Sequence, residues 1–213
     1  LPALARRAGW LAPVALLALP AVPGTAPVVA APAAAVAVAA PIAFTVDASH
    51  SQVLFKVRHL GVSTVTGRFS KFSGTFQYDP QTKQGASVAF EIDAASINTD
   101  NERRDGHLRS PDFFETEKYP KISFTSTRVD RQGDGTYRIT GNLTMHGVTK
   151  PVTLTAEMLG PNKSGQNWVA GINATGKISR KEFGLVWDRV TEGVSVVGDE
   201  ITLQVELEAK AAA

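Results

Sequence analysis

The sequence predicts an all-β fold: an antiparallel barrel of about eight strands with a short helical insertion capping its mouth. Three observations carry this. Long stretches alternate apolar and polar residues with period two, the pattern of strands with one dry and one wet face. Short turn-forming segments separate these stretches, which suits an antiparallel meander. One polar, cation-rich block, Asn101 to Pro120, reads as helical between strand-like flanks. A sheet of eight to ten strands either closes into a barrel or splits into a sandwich, and a polar helix set into such a chain has the open end of a barrel to cover.

Taken in order, residues 1–40 stand apart. Arg6 and Arg7 precede an uncharged run from Ala8 to Ala40 rich in Ala, Leu, Val and Pro, with Ala37-Val38-Ala39 as an A-x-A site. That order of positive, apolar and small residues predicts a signal peptide cleaved between Ala30 and Ala43. Prolines at 13, 20, 23, 27 and 32 interrupt the windows of roughly 20 apolar residues that an uncleaved anchor needs. The residues around the arginine pair match a twin-arginine signal poorly. The chain has 22 Lys and Arg against 20 Asp and Glu, and two of the cations are Arg6 and Arg7. The remainder is therefore neutral, which argues against a nucleic-acid surface. Cysteine is absent, which excludes disulfides, thiol catalysis and a lipidated cysteine anchor.

From Pro41 onward the alternation begins. Val53, Phe55, Val57 and His59 share one face; so do Val88, Phe90 and Ile92; so do Tyr137, Ile139, Leu143 and Met145; and so do Ile201, Leu203, Val205 and Leu207. Weaker strands are read near 64–70, 71–78, 121–129, 151–159, 167–178 and 183–188. Turns fall at Asp79 to Gly85, Gln132 to Gly135, Gly160 to Gly165 and Val197 to Asp199. The polar face carries Lys, Arg, Glu and Thr, the reverse of a membrane barrel with its apolar outside. Inward faces of Phe, Val and Ile suit a packed core as well as a cavity; a cation-rich cover favours a cavity for an apolar ligand with an anionic head. Within the cover, Thr99 stands three residues before Glu102, the spacing of a capping box. Ser110 before Pro111 gives a second helix start.

Catalytic and metal chemistry lack support. His50, His59, His107 and His146 form no His-x-x-x-His pair and have no cysteine partner. Ser51 beside His50 is no triad, Gly-x-Ser-x-Gly is absent, and Asp47 with His50 suits a turn hydrogen bond. The sequence predicts no catalytic residue, no metal and no cofactor.

Five motifs carry a resemblance. The stretch from Phe44 to Gly61, with Asp47, His50, Val53, Phe55, Val57 and His59, resembles the opening of the YceI-like family. Arg104-Asp105-Gly106-His107-Leu108-Arg109-Ser110-Pro111-Asp112-Phe113-Phe114 resembles that family's signature block. Tyr119-Pro120, the segment Gly141 to Val152, and Arg180 to Leu185 resemble its later motifs. The match spans about Phe44 to Leu207, within a domain taken as residues 44–210. The resemblance implies an exported, periplasmic, lipocalin-like barrel that holds an isoprenoid chain, a quinone or polyprenyl phosphate for example, and such cargo implies transient contact with a membrane or membrane protein. An enzyme acting on the lipid head group and a scaffold with a filled core are the alternatives. The expected apolar lining is Phe55, Val57, Phe69, Phe76, Phe90, Phe124, Leu143, Met145 and Trp187, closed above by Leu108, Phe113 and Phe114. Arg103, Arg104, His107 and Arg109 are the candidate head-group contacts, with Arg103 and His107 on one helix face. The alternative is that Arg104 and Arg109 pair with Asp105, Asp112 or Glu115 and hold the cap closed.

Overall fold

A computed structural model of the chain describes residues 41–212, so the leader expected over 1–40 lies outside the described residues. Alternating burial follows the alternating sequence. Over β8 (Thr136–Met145) every second residue from Tyr137 is buried, and over β2 (Gln52–His59) Val53 and Phe55 are buried between exposed Gln52 and Lys56. The other strands are β1 (Ile42–Val46), β3 (Ser63–Phe69), β4 (Phe72–Asp79), β5 (Gln84–Asp93), β6 (Ile97–Asn98), β7 (Lys121–Arg131), β9 (Val148–Ser164), β10 (Asn167–Ser179), a small hairpin β11 (Val190–Thr191) and β12 (Val194–Ser195), and β13 (Val197–Ala212).

The order around the sheet is β1-β4-β5-β7-β8-β9-β10-β13, and β13 returns to β1 with Thr45 opposite Lys210. All these pairings are antiparallel, and the ring is closed. Three of the eight staves are bent. β1 and β2 are two halves of one stave along β13, divided by the 3-10 turn Ala48–His50. β3 and β4 form the next, with only Ser70 and Lys71 between them. β5 and β6 form the third, divided by the 3-10 turn Ala94–Ser96, so that β6 pairs with β3 while β5 pairs with β4.

The helical insertion is α1 (Glu102–Arg109), followed by turns to Pro120. Its N-cap is Asn101, whose side chain accepts from the Arg104 amide at 3.0 Å, so the expected capping box at Thr99 is not formed. Thr99 is instead drawn inward by Asp105. Ser110 ends the helix, its hydroxyl donating to the His107 carbonyl at 2.8 Å. The second helix start at Ser110-Pro111 is therefore a C-cap and a turn, in which the same hydroxyl also accepts from the Asp112 amide at 3.3 Å.

The strand expected near 183–188 is also absent. That stretch runs from the 3-10 turn Lys181–Phe183 into irregular chain. Arg180, 2% exposed, curls it: Nε donates to the Gly198 carbonyl, one terminal nitrogen to the carbonyls of Leu185 and Trp187, and the other to that of Val197. The guanidinium fork thus gathers the carbonyls that a sheet would otherwise have paired. Burial pulls its pKa below the ordinary value, opposed by the charges of Asp188 and Asp199.

Candidate functional site

The barrel encloses a cavity of about 190 Å³. Its walls come from all eight staves and from the cap, and among the described residues no polar atom faces into it. Ile201, Leu203, Val205 and Leu207 of β13, and Val88, Phe90 and Ile92 of β5, all point inward yet are only half-buried, because the space before them is empty. Six residues of rise separate Ile201 from Leu207, so the cavity follows β13 for about 20 Å. A cavity of about 150 Å³ lined by aliphatic and aromatic groups stays dry and admits benzene. This one is longer and somewhat larger, a slot rather than a sphere. With its walls as they stand it holds about one isoprene unit by that comparison, and holding more of a chain requires the wall side chains to turn aside.

Aromatic rings keep the slot open by lying against the wall. Phe90 faces Gly74 across the β4–β5 pair, and a Cβ on Gly74 would come within 2.3 Å of the ring. Phe55 lies in the same way over Gly67, with 2.2 Å to a built Cβ. Phe90 stacks further on Phe72, with ring centroids 5.7 Å apart.

Of the expected lining, Phe55, Val57, Phe69, Phe76, Phe90 and Phe124 face the cavity, as do Leu143 and Met145. Leu108, Phe113 and Phe114 face it from the cap, and Phe114 meets Phe69 edge-on at 6.0 Å. Trp187 does not line it. Leaving Arg180 on irregular chain, Trp187 is carried over the outside of the cap, where its ring lies 4.8 Å from that of His107 and 5.2 Å from that of Phe113.

The four head-group candidates do not converge on the cavity. Arg104 donates to the Thr99 hydroxyl at 2.7 Å and the Thr99 carbonyl at 2.8 Å. Arg109 donates to the carbonyls of Ala95 at 2.8 Å and Ile97 at 2.7 Å. His107 pairs with Asp112 at 2.8 Å beneath Trp187. Arg103 is exposed and shares no partner with them. Arg104 and Arg109 hold the cap in place, but through backbone carbonyls rather than the carboxylates expected. Asp105, 5% exposed, completes this anchor by accepting from the Thr99 amide at 2.9 Å and from the Thr99 hydroxyl.

Two predictions separate these roles. Arg109→Ala is expected to lower stability by about 1–3 kcal/mol, the cost of orphaning acceptors in a part-buried anchor; Arg103→Ala is expected to stay within about 0.5 kcal/mol of the parent, as exposed substitutions do. Urea denaturation of the two variants checks both. Thr99→Val, which removes the hydroxyl shared by Asp105 and Arg104, is expected to cost about 1–3 kcal/mol in the same measurement.

Sequence reasoning missed Arg180, among the described residues the one ionisable residue on the cavity wall. Its stem lines the slot while its guanidinium turns to the carbonyls. The motif Arg180 to Leu185 was the available signal, without any sign of what the arginine binds. Elsewhere, Asp47, His50 and Glu208 place one ligand atom each within 4.8 Å of one another. The ammonium of Lys210 already sits among them, 2.5 Å from Asp47 and 3.5 Å from Glu208. That contact, with the Ser49 and His50 hydrogen bonds, holds the Asp47 carboxyl well below the usual range. The His50–Asp47 turn hydrogen bond is present at 3.1 Å.

Comparison with known proteins fits this architecture. The YceI-like domain family matches residues 44–209. A UPF0312 protein of Photorhabdus laumondii is 44% identical over 139 residues, which cover 65% of this chain and 72% of that protein. The crystal structure of the Campylobacter jejuni YceI protein is similar at a TM-score of 0.65 and 33% identity, over 73% of this chain and 90% of that one. Burkholderia cenocepacia BcnA is similar at a TM-score of 0.67 and 26% identity, over 76% and 98%. A polyisoprenoid binding domain from Saccharophagus degradans, at 19% identity and a TM-score of 0.58 over 80% and 99%, shares the fold. A closed eight-stave barrel with its helical cap, matched by the family over nearly all of its length, makes this chain a member of the YceI-like family.

Proposed function

We propose that the protein is an exported, periplasmic carrier that holds the chain of an isoprenoid lipid, a polyprenyl phosphate or an isoprenoid quinone, in its barrel. One observation carries the reading: a slot about 20 Å long by strand rise whose walls offer a ligand nothing but hydrocarbon. Family membership supports it, as does the fold shared with the polyisoprenoid binding domain from S. degradans.

Burial of one five-carbon unit contributes about 3–4 kcal/mol at about 0.8 kcal/mol per carbon. Three units therefore give about 9–12 kcal/mol before the cost of ordering the chain, against about 8 kcal/mol for micromolar binding. The tail supplies the affinity. The head group stays outside the slot, because none of the candidate cations reaches into it and the Arg180 guanidinium is already committed. Binding is favoured over catalysis for the same reason, since acid–base chemistry needs titratable groups converging in a pocket. Cargo that lives in a bilayer requires the carrier to touch a membrane or a membrane protein when it loads.

The test is extraction of the purified protein with organic solvent and mass spectrometry of what comes off. An isoprenoid in near-stoichiometric amount is the expected result. A protein that emerges empty and also refuses C20 prenyl alcohol in vitro would sink the carrier reading.

A further inference from the structure

The wall of the barrel has a seam. β5 pairs with β7 only from Ala89 opposite Thr125 to Asp93 opposite Lys121. Toward the end away from the cap the two strands part, although each keeps its other neighbour: β5 stays on β4 down to Gln84, and β7 stays on β8 out to Arg131. At the point of parting β7 carries a bulge between Ser126 and Arg128, and the Val88 amide donates to the Ser126 hydroxyl at 2.8 Å rather than to a ladder carbonyl. Bulges bend a strand and end its pairing. Beyond this contact the seam is filled by side chains: half-buried Val129 lies over Gly85, and the Tyr137 hydroxyl donates to the Lys83 carbonyl at 2.8 Å.

Behind the seam is a second small void of about 20 Å³, lined by Gly85, Ser87, Val129 and Tyr137 among others. It shares Phe76, Val88, Ile139 and Ile172 with the wall of the main cavity. These four apolar side chains face the slot on one side and the void behind the seam on the other. The opposite end is shut more firmly. There the cap is fastened to the chain before it by Arg104, Asp105 and Arg109, to β3 through Phe114 and Phe69, and to the 185–189 segment through Trp187. Charge-assisted bonds hold the cap. Nearer the cap β5 and β7 are joined by their ladder and the Lys121–Glu91 ion pair at 2.6 Å, whereas the parted stretch is bridged by two neutral hydrogen bonds and the Val129 contact, and neutral bonds are the weaker kind.

Resting on the carrier reading, we propose that the seam between β5 and β7 is the passage through which an apolar chain enters and leaves the barrel, the cap remaining closed. It also accounts for a slot too small for a long chain, since the surplus length trails out between the strands. Burial pushes the Tyr137 phenol up to about 12, so it remains a donor to Lys83.

The chain has no cysteine, which permits a clean test. A Cβ built on Gly85 lies 3.7 Å from the Cβ of Val129, within the spacing a disulfide requires. In the double variant Gly85→Cys, Val129→Cys, a bridge stitches the seam. Uptake and release of a C20 prenyl alcohol are then expected to slow at least tenfold when the bridge is oxidised and to recover on reduction. Ser126→Ala, which frees the Val88 amide, is expected to speed both. Unchanged rates with the bridge confirmed by mass, or an acceleration produced by Trp187→Ala and not by Ser126→Ala, would overturn the passage in favour of the cap. Failure of the carrier reading looks different: the unmodified protein then takes up no prenyl alcohol at all.

Discussion

Replacing Phe90 with lysine is expected to empty the barrel. Phe90 sits at mid-strand on β5, faces the slot and is flanked by apolar neighbours, with its ring against Gly74 and Phe72. An ammonium at this position has no carboxylate and no carbonyl to meet. Either it stays charged in an apolar cavity at a cost of several kcal/mol, or it brings water into the slot. Each outcome removes the gain from burying one or two isoprene units, so lipid retention should fall below detection in the extraction assay while the β-type circular dichroism persists. Phe90→Leu is the matched control. It keeps the wall apolar and should retain cargo. A Phe90→Lys protein that still carries full cargo would take Phe90 out of the binding wall.

The second large effect belongs to Arg180→Met. Methionine replaces the stem that lines the slot but leaves the carbonyls of Leu185, Trp187, Val197 and Gly198 without their donor. A buried acceptor left unpaired costs about 1–3 kcal/mol. After partial relaxation the four together should amount to on the order of 4 kcal/mol by that measure. For a domain of this size that corresponds to a fall in Tm of roughly 10 °C. Arg180→Lys should recover only part of the loss, since an ammonium has three donors and no planar fork to span four carbonyls. Calorimetry of the three proteins checks the order. A melting temperature unchanged in Arg180→Met would mean that the segment from 181 to 199 is held by something other than this arginine.

The barrel was legible because alternation in sequence and the pleat of a strand share one period. Phe55, Val57, Phe90, Leu143 and Met145 were assigned to the interior on that basis, and the structure points them there. The same rule failed over 183–188. Phe183, Leu185 and Trp187 also alternate, and the alternation does bring the carbonyls of Leu185 and Trp187 to one side. What they meet there is a single guanidinium from Arg180 instead of a neighbouring strand. A partner of that kind is not written into local pattern. The cap arginines misled for a related reason. Composition announced cations near a mouth, but the short β6 and its 3-10 turn leave the carbonyls of Ala95, Ile97 and Thr99 in need of donors. Arg104 and Arg109 answer that need before any ligand arrives. Apolar side chains follow periodicity, and charged ones follow whichever acceptor the fold has left open.

The glycines opposite Phe55 and Phe90 have a consequence for which chains the protein accepts. Each is a bare patch of backbone on which a ring rests, and a methyl group at Gly67 or Gly74 would tip that ring towards the barrel axis. The bore would narrow without any change in the residues that touch the guest. In a carrier of the kind proposed, selectivity for a slim or a branched hydrocarbon would thus be tuned from beneath the aromatic layer, by positions that never meet what they select.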